Sequence, residues 1–159
     1  MIVRKILNGL SYATLFVAWG FMGTSIYWAF FDKATPIYYT KMITPPTIET
    51  TVGSTVDIKY DVIRTRACHL SFTRYLEDER DSASEITPIF VIEQGEREVL
   101  GDQVGDPVDV NIPLVITPNI KPSTYVFYTR LSFACNPMQR FFPLVIDSPK
   151  TRIIVKPKE

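Results

Sequence analysis

The sequence predicts an all-β domain, an antiparallel sandwich, carried on one N-terminal membrane helix. Three observations predict it. From Ile6 to Phe31, ILNGLSYATLFVAWGFMGTSIYWAFF, no Asp, Glu, Lys, Arg or His occurs. Beyond it, apolar and polar residues alternate with period two. Glycine, proline and asparagine separate the alternating stretches, and no helical period competes with them.

As a helix rising 1.5 Å per residue, the uncharged stretch would span about 39 Å, enough to cross a hydrocarbon layer of about 30 Å with some tilt. A lone stretch must be helical there, because lipid offers nothing to free backbone groups. Arg4, Lys5 and the amino terminus stand ahead of it with no acid, whereas Asp32, Lys33 and Lys41 follow. The positive-inside bias then places residues 1–5 in the cytoplasm as a short leader and the main domain outside it, in a periplasmic or extracellular space. Gly23 and Ser25 would suit a signal-peptide cleavage site, releasing a soluble secreted domain. Ile26, Tyr27, Trp28, Phe30 and Phe31 continue past that point as an interfacial aromatic belt would, which favours an uncleaved signal anchor across residues 6–31. Gly20, Gly23 and Thr24, and the pair Gly9 and Ala13, are small enough for close helix approach without completing GxxxG.

Residues 32–46, DKATPIYYTKMITPP, contain three prolines and no helical period. They predict an extended stalk, with Tyr38 and Tyr39 near the headgroups or the domain base. Residues 47–159 suit one domain with one core. Val56, Ile58, Tyr60 and Val62 share one face of a strand whose other face carries Asp57, Lys59 and Asp61. Val108, Val110, Ile112, Leu114 and Ile116 share another, as do Tyr125, Phe127, Leu131, Phe133 and Cys135. Shorter runs at Ile89–Ile92, Val99–Leu100, Phe141–Ile146 and Ile153–Val155 fill the gaps. Turns are expected at Gly53-Ser54, Gln94-Gly95, Gly101-Asp102, Gly105-Asp106-Pro107, Pro118-Asn119, Asn136-Pro137 and Ser148-Pro149. About seven to nine strands follow from this spacing.

The early strand leading to Cys68, and the late strand YTRLSFAC ending at Cys135, give this domain a resemblance to immunoglobulin-like sandwiches over about residues 47–155. The two cysteines lie 67 positions apart, and the resemblance implies a bridge joining two facing sheets. Two features depart from the antibody type: Phe133 stands where a corner tyrosine would be, and no tryptophan follows Cys68. The short membrane-anchored layout is also similar to uncharacterised membrane proteins of bacteriophages.

Cys68 keeps step with Leu70 and Phe72, and Cys135 with Leu131 and Phe133, so both are expected to face the core. In an oxidising space they would form a structural disulfide; the alternative is two separate buried thiols. Redox chemistry would call for a CxxC pair, which is missing. His69, the one histidine, faces away from Cys68 and is read as a surface residue. Glu77-Asp78-Glu79-Arg80-Asp81 reads as a solvated loop, with calcium ligation as the competing account. Arg64, Arg66 and Arg74 fall in register with Val62, Cys68, Leu70 and Phe72 if the strand is unbroken, a costly place for unpaired cations. A bend turns them outward, or acids meet them, or they line a surface for an anion or partner at the end of the sheet.

Basic and acidic residues balance at 17 each, and setting aside Arg4 and Lys5 leaves the rest slightly acidic, so no nucleic-acid partner is expected. GxSxG, HExxH, the P-loop and the dinucleotide-binding turn do not occur, and no metal or cofactor is expected. No N-x-S/T sequon is present. The expected function is non-enzymatic: a membrane-anchored interaction or structural protein that presents its sandwich to a protein partner, within a membrane complex or as a phage membrane or virion protein. The alternative from another class is a carboxylate-dependent hydrolase of envelope glycans, which needs two carboxyls facing one another.

Overall fold

A computed structural model describes residues 2–79, 89–98 and 104–158. Helix α1 (Ile2–Phe30) comes first. Its stretch Ser11–Phe30 has a mean hydropathy of 1.2 and contains no buried residue, and it is long and apolar enough to cross a membrane. The described residues beyond it are mostly β: β1 (Ile37–Met42), β2 (Thr47–Thr51), β3 (Thr55–Arg64), β4 (His69–Asp78), β5 (Ile89–Glu98), β6 (Pro107–Val115), β7 (Ser123–Ala134), β8 (Leu144–Asp147) and β9 (Thr151–Lys156). A 3-10 turn, Pro137–Arg140, separates β7 from β8.

The strands form two sheets, one of three strands in the order β1-β3-β6 and one of six in the order β2-β9-β7-β4-β5, with β8 also on β7. Both contribute to one core. Ile58, Tyr60 and Val62 of β3 and Ile112 and Leu114 of β6 meet Leu76 of β4, Phe127 and Leu131 of β7 and Ile153 and Val155 of β9. The alternations read from the sequence are therefore the burial pattern: each apolar face turns inward because period two puts alternate side chains on opposite sides of a strand.

Five expectations are corrected. The stretch expected as a stalk contains β1, which pairs with β3 from Ile37 opposite Arg64 to Met42 opposite Tyr60. Its prolines lie outside Ile37–Met42, so they bound a strand without interrupting one. The sheets are not wholly antiparallel, since β2 runs parallel to β9. After β1 the chain passes from one sheet to the other, and Arg152 N–H donates to Pro46 C=O (2.8 Å) where the new pairing begins. Gln94-Gly95 is no turn but lies inside β5, where Gly95 stands opposite Phe72 and leaves room for its ring. Half of the apolar run Phe141–Ile146 is not strand; Asn136 caps the 3-10 turn through its side chain, and Phe141 and Phe142 emerge exposed before β8.

The last correction concerns the bridge. Cys68 and Cys135 are disulfide-bonded, with Cα atoms 4.2 Å apart, but within one sheet. His69 pairs with Ala134, so the cysteines flank the adjacent ends of β4 and β7. The sequence from Val56 to Phe72 looks like one strand, yet the chain changes sheets between Arg64 and His69. Thr65 N–H donates to Pro36 C=O (3.0 Å) and Gly105 N–H to Arg64 C=O (2.8 Å) across that link. Val99, Leu100, Gly101-Asp102, Arg80 and Asp81 lie outside the described residues.

Candidate functional site

Between the sheets, in the half of the domain nearest α1, lies a cavity of about 100 Å³. Its walls come from the start of β1 and β4 (Ile37, Leu70, Phe72), from β3 and β6 (Val62, Val110) and from the end of β7 (Leu131, Phe133). Arg64, Arg66 and Arg74 all line it, joined by Arg97. The change of sheet explains how. Arg64 ends β3, Arg66 sits in the link, and Arg74 lies on β4 on the same face as Leu70 and Phe72.

The arginines differ in their surroundings. Arg66 makes a two-point ion pair with Asp32, Nη1 to Oδ1 at 2.7 Å and Nη2 to Oδ2 at 2.8 Å. That hydrogen bonding raises the Arg66 pKa and lowers that of Asp32. Arg74 has a side chain 13% exposed and donates through Nη1 to Glu93. Its guanidinium carbon stands 5.0 Å from the centre of the Phe72 ring, and that of Arg97 stands 6.0 Å from the same ring. Burial first, and then the Arg97 charge, pull the Arg74 pKa below its ordinary value. Acids thus meet Arg66 and Arg74, and a bend carries the chain away from the sheet face as well; the same residues border one cavity.

Two buried polar atoms among the described residues have no hydrogen-bond partner, Arg74 Nε and Thr129 Oγ1, and both residues line this cavity. Tyr39 and Tyr60 line it too, their rings edge-to-face at 5.6 Å. Burial pushes both phenol pKa values up, so the hydroxyls stay neutral. An apolar chamber with guanidinium groups at its margin can receive an anionic group carried on a small apolar one. Arg97 escaped the sequence reading because Gly95, taken as a turn, cut β5 short. Past Gly95 the strand continues as Glu96-Arg97-Glu98, with no apolar residue to mark an inward face, so residue order held no signal for it.

The remaining candidates lie elsewhere. His69 is exposed, with Nε2 3.6 Å from a Glu96 carboxylate oxygen. Glu77 and Asp78 belong to β4 rather than to a loop; Asp78 accepts a hydrogen bond from Ser123 Oγ (2.8 Å), and Glu79 pairs with Arg152. Among the described residues no cluster of three His, Cys, Asp or Glu is arranged to hold a metal.

No family model matches the chain, and no curated protein matches it. Solved structures align with it at low similarity. Superoxide reductase (neelaredoxin) from Ignicoccus hospitalis is 12% identical with a TM-score of 0.46, over 76% of this chain and 82% of that one. A family 123 glycoside hydrolase from Clostridium perfringens is 9% identical with a TM-score of 0.45, over 78% of this chain and 28% of that one. The superantigen toxic shock syndrome toxin-1 is 10% identical with a TM-score of 0.44, over 76% of this chain and 98% of that one.

Proposed function

We propose that this chain is a non-enzymatic, single-pass membrane protein that holds an immunoglobulin-like β-sandwich outside the cytoplasm. Through its cavity the sandwich binds a protein partner that presents an acidic group beside a small apolar one. The observation that carries the reading is the meeting of Arg64, Arg66, Arg74 and Arg97 around one apolar cavity. Paired ions on a surface contribute little, but guanidinium groups beside an apolar wall recognise a carboxylate with both charge and geometry.

Further features support the setting. The disulfide suits an oxidising space outside the cytoplasm. The tyrosine absent two residues before Cys135 has a counterpart near the start of β7, where Tyr125 donates its hydroxyl to Lys121 C=O (2.8 Å), as the corner tyrosine of such sandwiches does. Asp32, Glu49, Glu79, Glu93 and Asp147 each pair with a lysine or arginine, an arrangement suited to structure more than to acid–base work.

The test uses the full chain in native membranes. A photo-crosslinking residue replacing Arg97 is expected to give a discrete adduct that is lost on adding Arg74→Gln. An adduct indifferent to Arg74 would overturn the cavity reading. Release of the intact chain by carbonate, or activity of a C-terminal reporter only inside the cell, would overturn the anchoring.

A further inference from the structure

The base of the domain carries a second apolar feature that neither the core nor the cavity uses. Phe141 is 77% exposed and Phe142 65% exposed, side by side where the 3-10 turn ends. Two adjacent exposed phenylalanines on a domain whose other large aromatics mostly pack inward mark a contact surface. Their position is fixed relative to α1. Gln139, 2% exposed, donates from Nε2 to Asp32 C=O (2.8 Å), just past the end of α1. Asn136, which caps the turn, donates from Nδ2 to the Asp32 carboxylate (2.8 Å). Phe141 N–H and Phe142 N–H both donate back to Met138 C=O, at 3.1 and 3.2 Å, so the two rings leave a closed turn that is itself tied to the helix end.

The end of α1 packs against this turn, and its last turn with the residue after it exposes Tyr27, Phe30 and Phe31, the rings of Tyr27 and Phe31 stacked at 6.2 Å. Aromatic side chains of this kind settle at the headgroup boundary, and apolar ones reach about 5–10 Å into it. Arg140 and Lys33, both exposed beside these rings, are cations of the reach that meets lipid phosphate.

We infer that Phe141 and Phe142 insert into the interfacial layer of the bilayer that α1 crosses, so that the domain is seated on the lipid surface and not raised above it. The inference rests on the anchoring proposed above. The occupant is a phospholipid bilayer, because the patch continues the aromatic belt of a membrane-length helix and the Asp32 contacts hold the two at one height.

The test uses the full chain reconstituted into phosphatidylcholine–phosphatidylglycerol vesicles containing lipids brominated near the headgroup end of the acyl chains or deep within it. One variant, Trp28→Phe, keeps Trp19 as a reporter of anchoring. A second, Trp19→Phe/Trp28→Phe/Phe142→Trp, reports the patch. The expected result is that Trp19 is quenched by deep bromines, while the tryptophan at position 142 loses most of its emission to shallow bromines and resists aqueous acrylamide. Quenching at 142 by acrylamide alone, with Trp19 still quenched by lipid, would overturn the seating and leave the anchor intact. Shielding of 142 from both quenchers would assign the patch to a protein contact and overturn it as well. Escape of Trp19 from every brominated lipid would remove the anchor, and the seating with it.

Discussion

Arg66 and Asp32, 34 positions apart, grip one another through two parallel hydrogen bonds of 2.7 and 2.8 Å at the junction of helix and domain. Asp32 also accepts from Asn136 and, through its carbonyl, from Gln139, so one short segment binds the helix end to the link between the sheets and to the 3-10 turn. The domain thus begins at the helix, with no free stalk between.

Replacing Asp32 by Asn removes the charge from this joint, and we expect a loss of about 1.5–3 kcal/mol, the range for hydrogen bonds to charged groups, read by urea unfolding in detergent. The pH dependence has a definite sign. Hydrogen bonding from Arg66 lowers the Asp32 pKa beneath its ordinary 3.8 against the opposing pull of burial, and Asn136 adds to the lowering. Its stabilising contribution is complete above the unfolded-state value and is lost as pH falls through the lower folded-state value. Below pH of about 4, therefore, the wild type should lose stability more steeply than Asp32→Asn. Parallel acid titrations of the two proteins would refute this.

The disulfide closes the same base, and Cys135 N–H donates to Gln139 Oε1 (2.8 Å) beside it. Cys68→Ala/Cys135→Ala should lose about 2–5 kcal/mol, as expected for a long closed loop. A reduced and an oxidised wild type of equal melting temperature would contradict that.

Much of the fold was legible because period-two burial is written directly in residue order: β3, β6 and β7 show it along most of their lengths. Sheet membership was not. Arg64 and Arg66 continue the register of Val62 and Cys68, so residue order leaves an unbroken strand and a bend both open over residues 56–72, and only contacts distant in sequence, such as Thr65 N–H to Pro36 C=O, reveal the change of sheet. That hidden corner misplaced the bridge and left the role of the three arginines open. Gly95 misled in the opposite way: a glycine in a strand marks close approach as readily as a turn, and the partner that approaches, Phe72, is known only once β4 and β5 are paired.

Tyr125 offers a test at the opposite end of β7. It is 1% exposed and its hydroxyl reaches Lys121 C=O at 2.8 Å, which fixes the entry of the chain into the longest strand. Tyr125→Phe keeps the ring and removes the bond, so the expected cost is about 1 kcal/mol with the fold retained. A variant as stable as the wild type would show that the bond adds nothing to the packing of the ring.

Gly95 links stability to the cavity. A Cβ placed on it would lie 2.6 Å from Phe72 Cζ and 2.8 Å from Cε1, closer than carbon atoms pack. Phe72 in turn forms part of the cavity wall and carries Arg74 and Arg97 near its ring. Gly95→Ala must shift that ring, which should cost about 1–3 kcal/mol as overpacking does and disturb both guanidinium groups. The expected outcome is a lower melting temperature together with a weakened crosslink to the partner at the cavity. Shortening the neighbour in Gly95→Ala/Phe72→Leu should recover part of the stability, because the clash and its relief involve the same two residues. It should not recover the crosslink, since the aromatic support of Arg74 and Arg97 is gone. Recovery of both would place recognition away from these arginines, and no loss in Gly95→Ala would show that the Phe72 ring moves aside freely.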